Sequence, residues 1–191
     1  KKEVVLGRQQ IINSLKWSSR FESHYNHSLV VSEASYQPNE KALTQLDALL
    51  KNKNKGYIFL KGMPGSGKST LLTQWVRTIP NKSVRYYAFD FTDPSSQRYN
   101  DSQRGEHITF LYDMVHELEK AGLGHTNTLL YKDYDFLKGR FYNLLQSISD
   151  EFQKTKLPVV IVVDGLDHIT REYDVANRSL MKVLPSPSDL P

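Results

Sequence analysis

Residues 57–70 read Tyr57-Ile58-Phe59-Leu60-Lys61-Gly62-Met63-Pro64-Gly65-Ser66-Gly67-Lys68-Ser69-Thr70, and the parsing of this stretch decides the fold. The run Tyr57 to Leu60 is apolar and aromatic, the composition of a strand. Gly62 to Ser69 fits the pattern G-x-x-x-x-G-K-[ST] at every fixed position. An amphipathic stretch then begins at Thr70. Glycines let the backbone fold tightly and turn several N–H groups inward, where they cradle phosphate oxygens. The N-terminal dipole of a following helix favours the same negative charge. The expected cradle is Gly62, Pro64, Gly65, Ser66, Gly67, Lys68, Ser69 and Thr70, with Lys68 reaching the β- and γ-phosphates and the Ser69 hydroxyl on Mg²⁺. A chance glycine-rich turn before a helix is the bland alternative. Strand composition before, helix pattern after and Gly-Lys-Ser between them weigh against it.

Working outward toward the amino terminus, Lys51-Asn52-Lys53-Asn54-Lys55 reads as a solvated turn rather than a binding patch. Before it, Ala42, Leu43, Leu46, Leu49 and Leu50 recur at helical spacing, so 39–51 is expected to be an amphipathic helix with Asn39 as its cap. Residues 1–36 are assigned to an N-terminal linker or extension. They hold a short helical pattern through Ile11, Ile12, Leu15 and Trp17, and a short apolar run Leu29-Val30-Val31. His24 and His27 lie three apart, but no further ligand accompanies them, and exposed loop histidines are the simpler reading.

Toward the carboxyl terminus, the helix after the glycine-rich loop is expected to run to about Ile79, with Leu71, Leu72, Trp75, Val76 and Ile79 on one face. Ser83 to Phe91 is rich in β-formers and is read as a second parallel strand. Residues 93–105 form a loop by composition and carry Arg98 and Arg104, for which surface or loop-anchoring roles are expected, with contact to phosphate or a neighbouring subunit as the alternative. Helices are expected over about 106–121, ended by Gly122 and Gly124, and over about 133–154, ended by Leu157-Pro158. Val159-Val160-Ile161-Val162-Val163-Asp164 is a continuous β-branched run that reads as a central strand buried on both faces. A last helix is expected over 172–183. The alternation of strands and helices predicts an α/β fold with right-handed crossovers and an open parallel sheet.

Asp164 ends its strand on the carboxyl edge, where sheets of this kind bind ligands. With the Gly-Lys-Ser loop upstream it is read as the carboxylate that orients the Mg²⁺ shell, rather than as a turn-forming Asp before Gly165. Asp167, three residues on, is read as a group that polarises an attacking water, with a helix-cap role as the plain alternative. His168 would sense the γ-phosphate or simply pack.

The bulk properties agree with a nucleotide partner. The chain has 191 residues, a net charge of +4 and no cysteine. That length suits one domain with an appendage. The mild positive balance fits a polyanionic ligand and is too weak to argue for direct binding of nucleic acid. Absence of cysteine excludes a disulfide framework and a thiolate metal site, and fits a cytoplasmic protein. No apolar run nears the roughly 20 residues needed to span a bilayer, and the first six residues lack the apolar stretch of a signal peptide. The start without Met and the ending Pro185-Ser186-Pro187-Ser188-Asp189-Leu190-Pro191 read as cuts through a longer protein.

Asp164-Gly165-Leu166-Asp167 after Val159 to Val163, with Gly67-Lys68-Ser69-Thr70 upstream, resembles the STAND class of P-loop ATPases and its NACHT-like branch. The likeness covers roughly residues 37–191 and extends to Arg104-Gly105-Glu106 running into Phe110 to Val115. It is closest to bacterial antiviral STAND sensors. The resemblance implies a P-loop NTPase three-layer sandwich over 37–191, with a parallel sheet flanked by helices and continuing beyond residue 191, where the sensor-1 strand and winged-helix region would lie. It implies ATP and Mg²⁺ as cofactors, with Lys68, Asp164 and Asp167 catalytic and Ser69 and Asp164 at the metal. It further implies assembly into a homo-oligomer, a tetramer if the antiviral likeness is followed, triggered by a phage protein through regions outside this segment. In NACHT proteins an acidic residue usually follows the second Asp. Here it is His168, which points to a slow ATPase. Gly7-Arg8 and Gln37-Pro38-Asn39 both compare with the family's basic motif near the adenine, and the sequence leaves both open. Two other readings stand beside this one: a turnover enzyme such as an AAA-like motor or a small-molecule phosphotransferase, and a nucleotide-binding scaffold without hydrolysis. Motors place Glu directly after the strand-terminal Asp, and Gly165 occupies that position.

Overall fold

The computed structural model describes Gly7, Gln10 and residues 37–79, 83–88, 104–123, 133–167, 169 and 178–191. Expectations for Arg8, His24, His27, the apolar run 29–31, Arg98 and His168 fall outside the described residues. Helix α1 spans Glu40–Lys51, and the Asn39 side chain accepts from the Ala42 amide. Helix α2 spans Lys68–Thr78, strand β1 Ser83–Tyr87, helix α3 His107–Lys120, helix α4 Tyr134–Thr155 and strand β2 Val160–Asp164. A 3-10 turn follows at Leu180–Lys182. The described residues thus form an α/β arrangement around a parallel two-stranded sheet.

The register pairs Ser83 with Val160 and Tyr87 with Asp164. Side chains of a strand alternate between faces, and β2 uses both. Ile161 and Val163 pack on a large cluster built from β1, α3 and α4. Val160 and Val162 pack on a smaller cluster built from α1 and α2. Val162 is the buried residue of β2 and its other residues are half-buried, so the expectation of a strand buried along both faces holds only at its centre.

Helix α3 ends as its sequence predicts. Gly122 adopts φ +73°, and the Leu123 amide reaches back to the Leu118 carbonyl at 3.1 Å, closing the last turn. Asp133 caps α4 by accepting from the Phe136 amide at 2.8 Å.

Two expectations are corrected. Tyr57 to Leu60 joins no ladder among the described residues. Phe59 is 68% exposed, and none of the four packs on either cluster. Strand composition therefore does not make a strand here, because a strand needs a hydrogen-bonded neighbour. The expected helix over 172–183 is also different where it is described. Ser179 forms an antiparallel bridge with Glu106, and the chain then makes a single 3-10 turn.

Candidate functional site

The glycine-rich loop joins the extended segment 57–61 to α2. Residues 61–67 are exposed, and Lys68, Ser69 and Thr70 are half-buried. Gly65 and Gly67 take φ of +76° and +81°, the left-handed region that favours glycine. These angles turn the chain so that α2 starts at Lys68, two residues before the amphipathic pattern begins. The Ser66 amide donates to the Met63 carbonyl at 3.2 Å and closes the turn. Gly62 meets a different constraint. A Cβ there would lie 2.8 Å from Ser66 Oγ, so a side chain at this position would make the exposed Ser66 hydroxyl rotate away.

The α2 N-terminus has no side-chain cap and no acidic residue in its first turn. By contrast α1 and α4 are capped by Asn39 and Asp133. Helix α3, like α2, has no side-chain cap and no acidic residue in its first turn, so it is the glycine-rich loop before α2 that sets this N-terminus apart. Lys68 Nζ donates to the Gly62 and Met63 carbonyls, each at 3.0 Å, curling back over the mouth of its own loop.

Asp164 sits at the carboxyl end of β2. The Ala88 amide donates to its carbonyl at 2.8 Å and carries the β1 ladder one residue beyond the strand. Its Oδ1 accepts from the Gly165 amide at 2.8 Å, and Gly165 takes φ +78°, so the chain turns directly after the carboxylate. Asp167 is exposed. The structure gathers Gly62, Met63, Ser66 and Lys68 through direct hydrogen bonds and close approach. It joins α2 to β2 through Trp75, Val76 and Val162 in one cluster. Among the described residues no hydrogen bond or ion pair links Asp164 to the loop.

Trp75 also ties α2 to α1, because its Nε1 donates to Asp47 Oδ1 at 2.8 Å. Asp47 was not singled out by sequence, and Gly165 was noted only as standing where motors place Glu. A carboxylate one helix turn from an apolar stripe and a glycine after a strand-terminal Asp are the only hints available there. Arg104 is a loop anchor, as one of its two expected roles has it. It is 1% exposed, and its carbonyl accepts from the Tyr86 hydroxyl.

The family model described as Nephrocystin 3, N-terminal matches residues 41–188. The chain belongs to this family. The matched span runs from the second residue of α1 through the glycine-rich loop, both strands and the segment after Arg178. Neither the curated proteins nor the solved structures give a match to the chain. No helix of the described residues in this family member is long and apolar enough to cross a membrane. Among the described residues no group of three or more His, Cys, Asp or Glu gathers that would hold a metal by itself.

Proposed function

We propose that this chain is the Mg-ATP-binding module of a STAND-type, NACHT-like signalling ATPase on a P-loop sandwich, in which bound nucleotide gates self-association into a homo-oligomer. The observation that carries the reading is the loop itself. Left-handed Gly65 and Gly67 deliver an uncapped helix N-terminus, with Lys68 at its first position. The residues fit the ligand. The first amides of α2, like those of any helix, lack intrahelical acceptors and suit phosphate oxygens. The Lys68 ammonium needs only to leave two neutral carbonyls for a polyphosphate, where charge-assisted hydrogen bonds are stronger. Ser69 and Asp164 would hold Mg²⁺. Mg²⁺ commonly uses one or two carboxylates and completes its shell with water and phosphate oxygens, so a dense acidic cluster is not required. When bound, the ion would neutralise the charge between the β- and γ-phosphates.

Gly165 favours holding nucleotide over rapid turnover. A Glu at that place, as in motors, would have to adopt φ near +78°, which side-chain-bearing residues rarely do. Asp167 is the candidate for polarising water, and slow hydrolysis is the expected consequence.

Lys68→Ala tests the reading. The variant should keep its thermal melt, since the ammonium is bonded only to exposed loop carbonyls, and should lose ATP binding by calorimetry. An unchanged ATP affinity would remove the proposal.

A further inference from the structure

Among the described residues, few contacts hold the segment that carries the glycine-rich loop. Among the described residues no backbone hydrogen bond fastens 57–61, and its side chains pack on neither core cluster. Two side chains nevertheless tie its start to a distant stretch. The Tyr57 hydroxyl donates to the Pro185 carbonyl at 2.7 Å. Lys55 Nζ donates to the Leu190 carbonyl at 2.7 Å. Burial first, and the neighbouring Tyr142 second, raise the Tyr57 pKa above the ordinary tyrosine value, so the hydroxyl keeps its proton for this bond.

The stretch that receives these bonds is itself firmly anchored. The Leu180 amide donates to the Gly105 carbonyl and the His107 amide to the Arg178 carbonyl, both at 2.8 Å. Glu106 and Ser179 form the bridge between them, and Arg178 Nη1 lies 3.5 Å from Glu106 Oε1. Leu180 and Val183 are fully buried in the large cluster, and Pro185 is buried. Residues 186–189 close a turn in which the Ser186 hydroxyl donates to Asp189 Oδ2 at 2.7 Å. Anchored at the start of α3 and ending against Lys55, residues 178–190 span from the large core to the root of the glycine-rich loop.

We propose that residues 178–190 are a strap that positions the glycine-rich loop, and that Tyr57 is the positioning residue through which it acts. The ligand consequence rests on the Mg-ATP reading above, whereas the mechanical one does not. Removing one hydrogen bond worth about 0.5–1.5 kcal/mol changes an equilibrium roughly twofold to tenfold. Tyr57→Phe in the full chain should therefore speed amide hydrogen exchange over 61–71 by about that factor without nucleotide, leaving α4 unchanged. ATP affinity should fall by a similar factor in EDTA and in Mg²⁺ alike, because the strap acts on the loop and not on the metal carboxylate. Faster loop exchange in a chain whose wild type binds no ATP would keep the strap and remove the nucleotide reading. Wild-type ATP binding with neither loop exchange nor affinity altered in Tyr57→Phe would overturn the strap. Exchange rising equally through α3 and α4 would also overturn it, because Tyr57 would then be supporting the whole domain. Should Tyr57→Phe fail to fold, Lys55→Met removes the exposed bond to Leu190 and is read by the same measurements.

Discussion

Among the described residues, the two faces of β2 are packed to different depths. On one face, sixteen buried apolar residues among those described form one cluster, drawn mainly from β1, α3, α4 and the segment after Arg178, with Ala88, Leu123 and Ile169 from the adjoining connections and with Phe110 edge-on to both Tyr86 and Phe141. On the other face, the buried cluster is Leu46, Trp75, Val76 and Val162. The glycine-rich loop rises from the thin side, and Met63 at its tip is 79% exposed. A rigid scaffold presenting a more lightly packed loop is a common division of labour in proteins, since elements that bind ligands come from the less stable end of a structure. Here the thick face also supplies the anchor for the strap, so the loop borrows order from the side that does not carry it.

The sharpest way to break this contrast is to cut into the thick face. Phe110 is fully buried. Phe110→Ala loses its transfer energy and leaves a cavity, at a cost of about 3–5 kcal/mol. Urea denaturation should show the whole domain destabilised by that amount. A loss under about 1 kcal/mol would mean that the cluster relaxes freely and that the two faces do not differ in rigidity.

That face also holds a polar group whose charge state matters. Asp113, on α3, is 2% exposed. Burial pushes its carboxyl up to about 8, against the pull of Arg104 and with a smaller push from Glu117. Its Oδ1 and Thr109 Oγ1, one helical turn away, have no hydrogen-bond partner among the described residues. A raised carboxyl pKa means that the folded chain holds a proton the unfolded chain releases. Its contribution is therefore fully present below the unfolded value of 3.8 and is lost as pH rises toward about 8. The slope is at most about 1.4 kcal/mol per pH unit. Asp113→Asn keeps the shape and removes the titration. The stability of wild type relative to the variant should fall between pH 5 and pH 8 in denaturation curves. A constant difference would show that Asp113 stays ionised beside Arg104.

Much of the secondary structure was legible in sequence because its signals are local. Asn39 caps α1 on the thin face, while on the thick face α4 begins beside Asp133, Gly122 closes α3, and Val160 to Asp164 forms the strand that its β-branched run predicts. The glycine-rich loop was legible for the same reason, since its pattern dictates backbone angles at Gly65 and Gly67. What escaped depends on partners far along the chain. The place of Tyr57 to Leu60 is set by whether a neighbouring strand pairs with it, which composition does not encode. Arg104 looked like any loop arginine, and only the packing of β1 and α3 around it decides that it is buried. Residues 178–183 carry enough apolar side chains for a helix, yet the Leu180 amide and the Arg178 carbonyl are taken by Gly105 and His107, and this tertiary pairing overrides local preference.

The smallest expected effect tests the thin side directly. Phe59 touches Tyr57, with ring centroids 6.0 Å apart and planes at 29°, and otherwise faces solvent. Phe59→Ser should change stability by no more than about 0.5 kcal/mol, as surface substitutions usually do. Three apolar residues at 58–60, whose backbone joins no ladder among the described residues, make this a demanding expectation, because sequence alone reads them as a strand. A loss above about 2 kcal/mol would mean that Tyr57 to Leu60 is packed in solution, as its composition suggests. The thin face of β2 would then be thicker than it looks, and the strap would have less to hold.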